Sequence, residues 1–183
     1  MTCIVGIVKR KSGNILIGGD SAAVDVSSGD MSTRKGSKVF ESLGFVYGYT
    51  SSFRMGDILQ YSFVPPPIND LSVDNYIRTC YIDSLRECLE KKGYGHKKDG
   101  DVGGDFLVGF RGRLFHIRSD YQVGESTDFY DACGIGRSIA LGALHATKDL
   151  RVADDRRIMM ALSAAEAFSA YVRGPFNIVE QKS

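Results

Sequence analysis

The sequence predicts an α+β fold of two antiparallel sheets with helices packed outside them. Three observations carry this. The chain opens on an apolar, β-branched run, Cys3-Ile4-Val5-Gly6-Ile7-Val8, of the kind a strand buried on both faces requires. A polar turn with Gly13-Asn14 then returns the chain into a second apolar run. Beyond these, the elements come in blocks: strands, two helices, strands, two helices, and a last strand. No internal repeat, linker or composition break interrupts the order, so residues 1–183 read as one domain.

The elements follow in turn. The second strand, 15–17, stops at Gly18-Gly19-Asp20, and two shorter strands are expected at 37–42 and 44–50. Met55, Ile58, Leu59 and Phe63 have helical spacing, and Pro65-Pro66-Pro67 ends that helix. A longer helix over 72–92 places Val73, Ile77, Cys80, Tyr81, Ser84, Leu85, Cys88 and Leu89 on one face. Residues 93–104, rich in glycine and lysine, read as a loop. Strands at 106–110 and 114–117 flank an Arg111-Gly112-Arg113 turn, and two more are expected at 121–125 and 129–133. Helical spacing resumes at Ile139, Leu141 and Leu144 and again over 158–171, before a strand at 176–179.

Composition excludes several classes. An apolar content of 43% with 25% charged residues is that of a globular protein with a real core. Lys plus Arg (23) balance Asp plus Glu (22), so no net charge draws the chain to nucleic acid or to a membrane surface. No stretch reaches the ~18 apolar residues of a membrane span, and the N-terminus lacks the basic leader of a signal peptide. Cys3, Cys80, Cys88 and Cys133 form no CxxC pair or metal spacing, which suits a reducing compartment; a cytoplasmic location is expected. Cys80 and Cys88 are expected to pack as small core residues.

Thr2 is the first candidate for chemistry. Initiator Met is commonly removed before a small residue, which would leave Thr2 at the N-terminus with a hydroxyl nucleophile and an amine base on one residue. An α-amine titrates near ~7.7–8, so a useful fraction is neutral near pH 7. A Met-Thr start is by itself uninformative, but here the apolar strand begins immediately after it and should pin a terminus that would otherwise fray. Asp20 alone reads as a turn residue and Lys38 alone as a solvated charge. Cys3 could act only if Thr2 were also lost, and reads as a strand residue. Asp99-Gly100-Asp101-Val102-Gly103-Gly104-Asp105 fails the calcium-loop pattern at Phe110 and reads as a turn. His96, His116 and His145 have no metal-ligand spacing and read as surface or packing residues.

Taken together, Thr2, the apolar strand behind it, Gly19-Asp20, and Lys38-Val39 resemble the proteasome β family, and within it the HslV-type bacterial peptidase. Tyr47-Gly48-Tyr49-Thr50-Ser51-Ser52, Ala132-Cys133-Gly134-Ile135-Gly136, Ala161-Leu162-Ser163-Ala164-Ala165 and Ala170-Tyr171-Val172 extend the likeness over most of the chain. The resemblance implies the four-layer αββα N-terminal-nucleophile hydrolase fold. It implies a threonine peptidase that cleaves unfolded polypeptides inside homo-oligomeric stacked rings, fed by an ATP-dependent AAA+ unfoldase. Thr2 would attack the scissile carbonyl, Lys38 would lower the pKa of the amine or hydroxyl, Asp20 would hold Lys38, and N–H groups near Ser51 would form the oxyanion hole. Lys35 is the rival for the lysine role. No cofactor is required; the HslV branch can bind a monovalent cation such as Na+ through carbonyls that match Glu166, Ser169 and Val172. A substrate pocket is expected from the segment after Asp20, with Ala22 and Val24, and around 45–49.

The sequence departs from the family at three places. Ile135 stands where a serine usually lies between glycines, Ser169 and Val172 stand where an Asp and a Ser follow the fourth helix, and the first hairpin is longer than in HslV-type chains. Two other functions therefore stay open: an N-terminal-nucleophile amidohydrolase of small amides, and a non-catalytic ring subunit.

Overall fold

A computed structural model describes residues 1–25, 27–94 and 103–182. His96 and most of the rejected calcium loop lie outside the described residues. The strands are β1 (Cys3–Val8), β2 (Ile15–Gly19), β3 (Ala22–Val24), β4 (Met31–Thr33), β5 (Val39–Ser42) and β6 (Phe45–Tyr49), followed after two helices by β7 (Phe106–Phe110), β8 (Arg113–Ile117), β9 (Val123–Glu125) and β10 (Tyr130–Gly134), with β11 (Asn177–Gln181) last. Helix α1 is Phe53–Tyr61. Helix α2 begins as Val73–Tyr76, passes through a π-helical turn, Ile77–Tyr81, and continues as Ile82–Lys91; α3 is Arg137–Ala146 and α4 is Asp154–Phe168.

Among the described residues two large antiparallel sheets form, in the orders β10-β1-β2-β11 and β5-β6-β7-β8-β9, with β3-β4 as a separate two-stranded one. Period-two alternation sorts each strand's side chains between two layers. Cys3, Val5, Ile7 and Leu16 join Ala140, Leu144, Ile158 and Leu162 under α3 and α4. Ile4, Val8, Ile15 and Ile17 meet Val39, Val46, Leu107 and Leu114 between the sheets. Tyr47, Tyr49, Phe106, Val108 and Phe115 pack under α1 and α2 with Met55, Ile58, Tyr81 and Leu85. Three apolar seams separate four layers, helix-sheet-sheet-helix, as the resemblance implied. β1 reads as a continuous apolar run because both its faces are buried.

Three details differ from the sequence reading. Cys80 is exposed and Cys88 half-buried, so neither is a core residue. Ile77, Tyr81, Leu85 and Leu89 are buried as expected, and the π turn, which adds a residue to one turn of α2 and rotates its face, brings Tyr76 and Ile82 in while Cys80 turns out. The hairpin of β3 and β4 was not foreseen; its strands have three residues each, and β4 is wholly exposed, leaving no alternation to read. Helix α4 starts four residues before the expected 158, where Asp154 and Asp155 complement the helix N-terminus and Asp154 pairs with Arg157 at 3.0 Å. Among the described residues, no helix is long and apolar enough to cross a membrane.

Gly48 lies on the seam between the sheets. A Cβ there would fall 2.5 Å from Ile4 and 2.6 Å from Ile17, both inside closely packed strands. Gly48→Ala is expected to cost about 1–3 kcal/mol by overpacking, read as a lowered urea midpoint; an unchanged midpoint would contradict this packing.

Candidate active site

Thr2 sits at the open end of β1, and β1 is an interior strand. Cys3 pairs with Gly134 of β10 and Ile4 with Gly19 of β2, so the residue before Cys3 has little freedom to fray. The same registers bring two loop ends to Thr2. Gly136 donates its N–H to the Thr2 carbonyl at 3.3 Å. Gly134 has φ +90°, and a Cβ there would lie 2.3 Å from that carbonyl oxygen, so only glycine fits.

Asp20 follows β2 and is fully buried. Its Oδ1 accepts the Cys3 N–H at 3.0 Å and the Lys38 ammonium at 3.0 Å. Its Oδ2 accepts the Ala22 N–H at 3.0 Å and the Arg173 N–H at 3.4 Å. Lys38, one residue ahead of β5, crosses from the other sheet and is 3% exposed. Its Nζ also donates to Thr2 Oγ1 at 2.5 Å. Asp20, Lys38 and Thr2 thus form one buried chain of donors and acceptors. Lys35 is exposed and takes no part.

The electrostatics follow from burial. Desolvation holds Lys38 below its ordinary pKa, opposed by the charge and hydrogen bond of Asp20. The chain's terminal amine, here on Met1, is likewise lowered by burial and then by Lys38, with Asp20 opposing. With Met1 in place, the Thr2 hydroxyl donates to the Met1 carbonyl at 2.5 Å. Cys3 is fully buried and its thiol is pushed up to about 12 by desolvation and by Asp20, which removes it as a nucleophile at neutral pH.

Ser51 joins β6 to α1 at φ +69°. Ser52 caps α1 by accepting the Met55 N–H. The Ser51 N–H donates to no acceptor among the described residues. Thr2, Lys38, Ser51, Tyr49, Phe53 and Val24 are among the residues lining a cleft of ≈ 100 Å³. Val24 and Tyr49 are the parts of the expected pocket that the structure places there; Ala22 is buried. Phe53, not singled out in the sequence, also packs under the Arg34 guanidinium at 4.3 Å. A larger depression of ≈ 390 Å³ is bordered by Lys9, Arg10, Lys148 and Arg157, away from Thr2.

The remaining candidates lie outside this cluster. Ile135 is 52% exposed and does not line the cleft. Glu166 accepts the Gly174 N–H through its carboxylate, and the Ser169 carbonyl accepts the Val172 N–H at 3.4 Å. His145 is exposed. His116, read as a surface or packing residue, is a buried ionic one. Its Nε2 lies 2.6 Å from Asp105 and its Nδ1 3.4 Å from Asp131. The available signal was its place in β8: it shares a strand face with Leu114, which packs between the sheets, and a buried polar group there demands partners.

No protein-family model matches the chain, and neither does any curated protein. Solved structures do. BPH of Thiobacillus denitrificans superposes with a TM-score of 0.81 at 21% identity, covering 98% of this chain and 97% of that one. The same protein in complex with epoxomicin gives 0.80 at 21% identity over 98% of each. Eukaryotic HslV from Trypanosoma brucei gives 0.76 at 14% identity over the whole of both chains. The chain has the fold of these proteins from end to end, the αββα fold of HslV.

Lys38→Met would leave the Asp20 carboxylate buried beside backbone donors only. We expect a loss of about 3–5 kcal/mol in urea unfolding, with partial recovery when Asp20→Asn is added. A Lys38→Met protein as stable as the parent would contradict the buried pair.

Proposed function

We propose that the chain is an N-terminal threonine peptidase whose nucleophile is Thr2 once Met1 is removed. The observation that carries this reading is the Lys38 ammonium, buried and held 3.0 Å from Asp20 and 2.5 Å from Thr2 Oγ1 at the mouth of a cleft. A surface lysine has no reason to be desolvated against a threonine hydroxyl; a site that needs a fixed positive charge beside a nucleophile does.

Loss of Met1 converts the Thr2 nitrogen from an amide into an amine on the carbon next to the one bearing the hydroxyl. Burial and Lys38, which lower the pKa of the Met1 amine, would act on the Thr2 amine in the same direction and make its neutral form available as base. Thr2 Oγ1 attacks the scissile carbonyl carbon and its proton passes to the amine. The oxyanion is met by the unpartnered Ser51 N–H. The C–N bond breaks as the ammonium returns its proton to the leaving amine, and an ester on Thr2 remains. Water then attacks the ester with the amine again as base, the C–O bond to Thr2 breaks, and a carboxylic acid leaves.

The substrate is an extended or unfolded polypeptide, because the cleft is bordered by Val24 of β3 and Tyr49 of β6 beside Thr2. We further propose that copies assemble into stacked rings that enclose the clefts, in the cytoplasm, with an ATP-dependent unfoldase as feeder. Exposed apolar side chains such as Phe168, Tyr61 and Val64, at 81%, 75% and 69%, support assembly. The monovalent-cation site at the carbonyls of Glu166, Ser169 and Val172 belongs to this proposal as an accessory. Ile135 favours a second reading, a ring subunit without activity, since an isoleucine supplies no hydroxyl near the terminal amine.

Peptide hydrolysis decides between the two. With Met1 removed, the parent should cleave fluorogenic peptides, Thr2→Ser should retain part of the rate, and Thr2→Ala or Lys38→Ala should lose at least about 10³-fold in kcat. A parent no faster than Thr2→Ala would leave the non-catalytic reading standing.

A further inference from the structure

A second ionic cluster centres on the buried His116. Asp105 precedes β7, His116 lies in β8 and Asp131 in β10, so the cluster bridges the two sheets. His116 is 3% exposed. Asp131 also meets Arg137, at the start of α3, at 3.5 Å. Arg118 acts on Asp105 from the end of β8. The Cys133 thiol lies close by, and burial pushes it well above its ordinary pKa. Glu125 and His145 stand on the rim of the ≈ 560 Å³ depression that His116 borders.

Asp105, His116 and Cys133 have their ligand atoms within 4.8 Å of one another, which raises a metal site. Both imidazole nitrogens are already spent on carboxylates, and the thiol is held protonated. A proton satisfies this set and a cation does not.

The cluster touches both loops that frame Thr2. The Asp105 carbonyl accepts the Thr50 N–H at 3.0 Å and the Thr50 hydroxyl at 2.8 Å. Thr50 immediately precedes Ser51. The backbone of Gly134 helps hold the Asp105 carboxyl below its ordinary pKa, and Gly134 pairs with Cys3 and abuts the Thr2 carbonyl. One aspartate therefore bonds the oxyanion side of the cleft and acts electrostatically on the terminus side, and His116 ties that aspartate to Asp131.

We propose that His116 is a positioning residue for the Thr2 site, acting as an imidazolium that locks Asp105 to Asp131 and so holds residues 50–51 and 134–136. The inference rests on the reading of Thr2 as nucleophile. Burial by itself would lower the His116 pKa, but the hydrogen bonds and charges of Asp105 and Asp131 outweigh it and the net direction is up. Asp105 and Asp131, which burial alone would raise, are held below the ordinary carboxylate range chiefly by their hydrogen bonds to His116. The signs then follow. The histidine's contribution is full below its unfolded value of ~6.5 and is lost as pH rises through its raised folded value. The aspartates' contribution is present above ~3.9 and lost as pH falls through their lowered folded values. Above its folded pKa, His116 can donate from one nitrogen only, and one carboxylate is released.

Amide hydrogen exchange on the parent protein, without substrate, tests this together with the NMR titration of the His116 ring. Protection of the Thr50 and Gly134 amides, corrected for intrinsic exchange, should fall about tenfold or more with the same midpoint as the ring titration, while amides of α4 stay unchanged. His116→Gln should show that loss at all pH values and lower kcat by about 10- to 100-fold with KM within about twofold. Protection at Thr50 and Gly134 that ignores the His116 titration would overturn the proposal, whether or not His116→Gln folds. So would a folded His116→Gln protein with parental protection and kcat. Coupled titration in a protein that cleaves no peptide would support the loop-holding role and sink the peptidase reading alone.

Discussion

The Asp20 carboxylate is the constraint on which the rest of the site depends. Its two oxygens take four donors from four parts of the chain: Cys3 at the start, Lys38 across the sheet seam, Ala22 in the following hairpin and Arg173 after the last helix. A carboxylate with no exposed surface costs several kcal/mol in desolvation, and only a full set of donors offsets it. The donors that satisfy Asp20 are therefore the ones that fix the N-terminus and the lysine. Burial and the geometry around Thr2 are one requirement here.

The layered fold makes that convergence possible. Lys38 belongs to one sheet and Thr2 to the other, and they meet because the edge leading into β5 faces the open end of β1 across the seam of Ile4, Ile17 and Val39. Small residues keep the seam thin where the ends approach, Gly48 being the tightest example. The second ionic cluster, Asp105 with His116 and Asp131, spans the same two sheets further back. Two buried polar networks thus register the sheets, one on each side of the segments that frame the cleft. Polar contacts of this kind are directional in a way the surrounding isoleucines and valines are not.

Much of this was legible in the sequence, for identifiable reasons. β1 and β2 announce themselves as apolar runs around a Gly13-Asn14 turn, and the triproline stop after α1 is unambiguous. Thr2, Asp20 and Lys38 were each uninformative alone and became readable only as an ordered set resembling a known family, and the structure places all three in contact. Asp20 stands beside Lys38 at the far end of the first hairpin from its turn at 9–14. What was missed depends on three-dimensional pairing. A π turn leaves no residue signature, so the face of α2 was read with Cys80 inward and without Tyr76 and Ile82, which are buried. Hydrophobic pattern also cannot distinguish a histidine that packs from one held between two aspartates far apart in the chain.

The central claim is that the buried lysine and aspartate serve a free N-terminal threonine. Intact-mass analysis with N-terminal sequencing, before and after exposure to an epoxyketone probe, tests it most directly. The account predicts a chain beginning at Thr2 that gains one probe mass while folded, with no gain in Thr2→Ala. A folded chain beginning at Thr2 that gains no probe mass would contradict it.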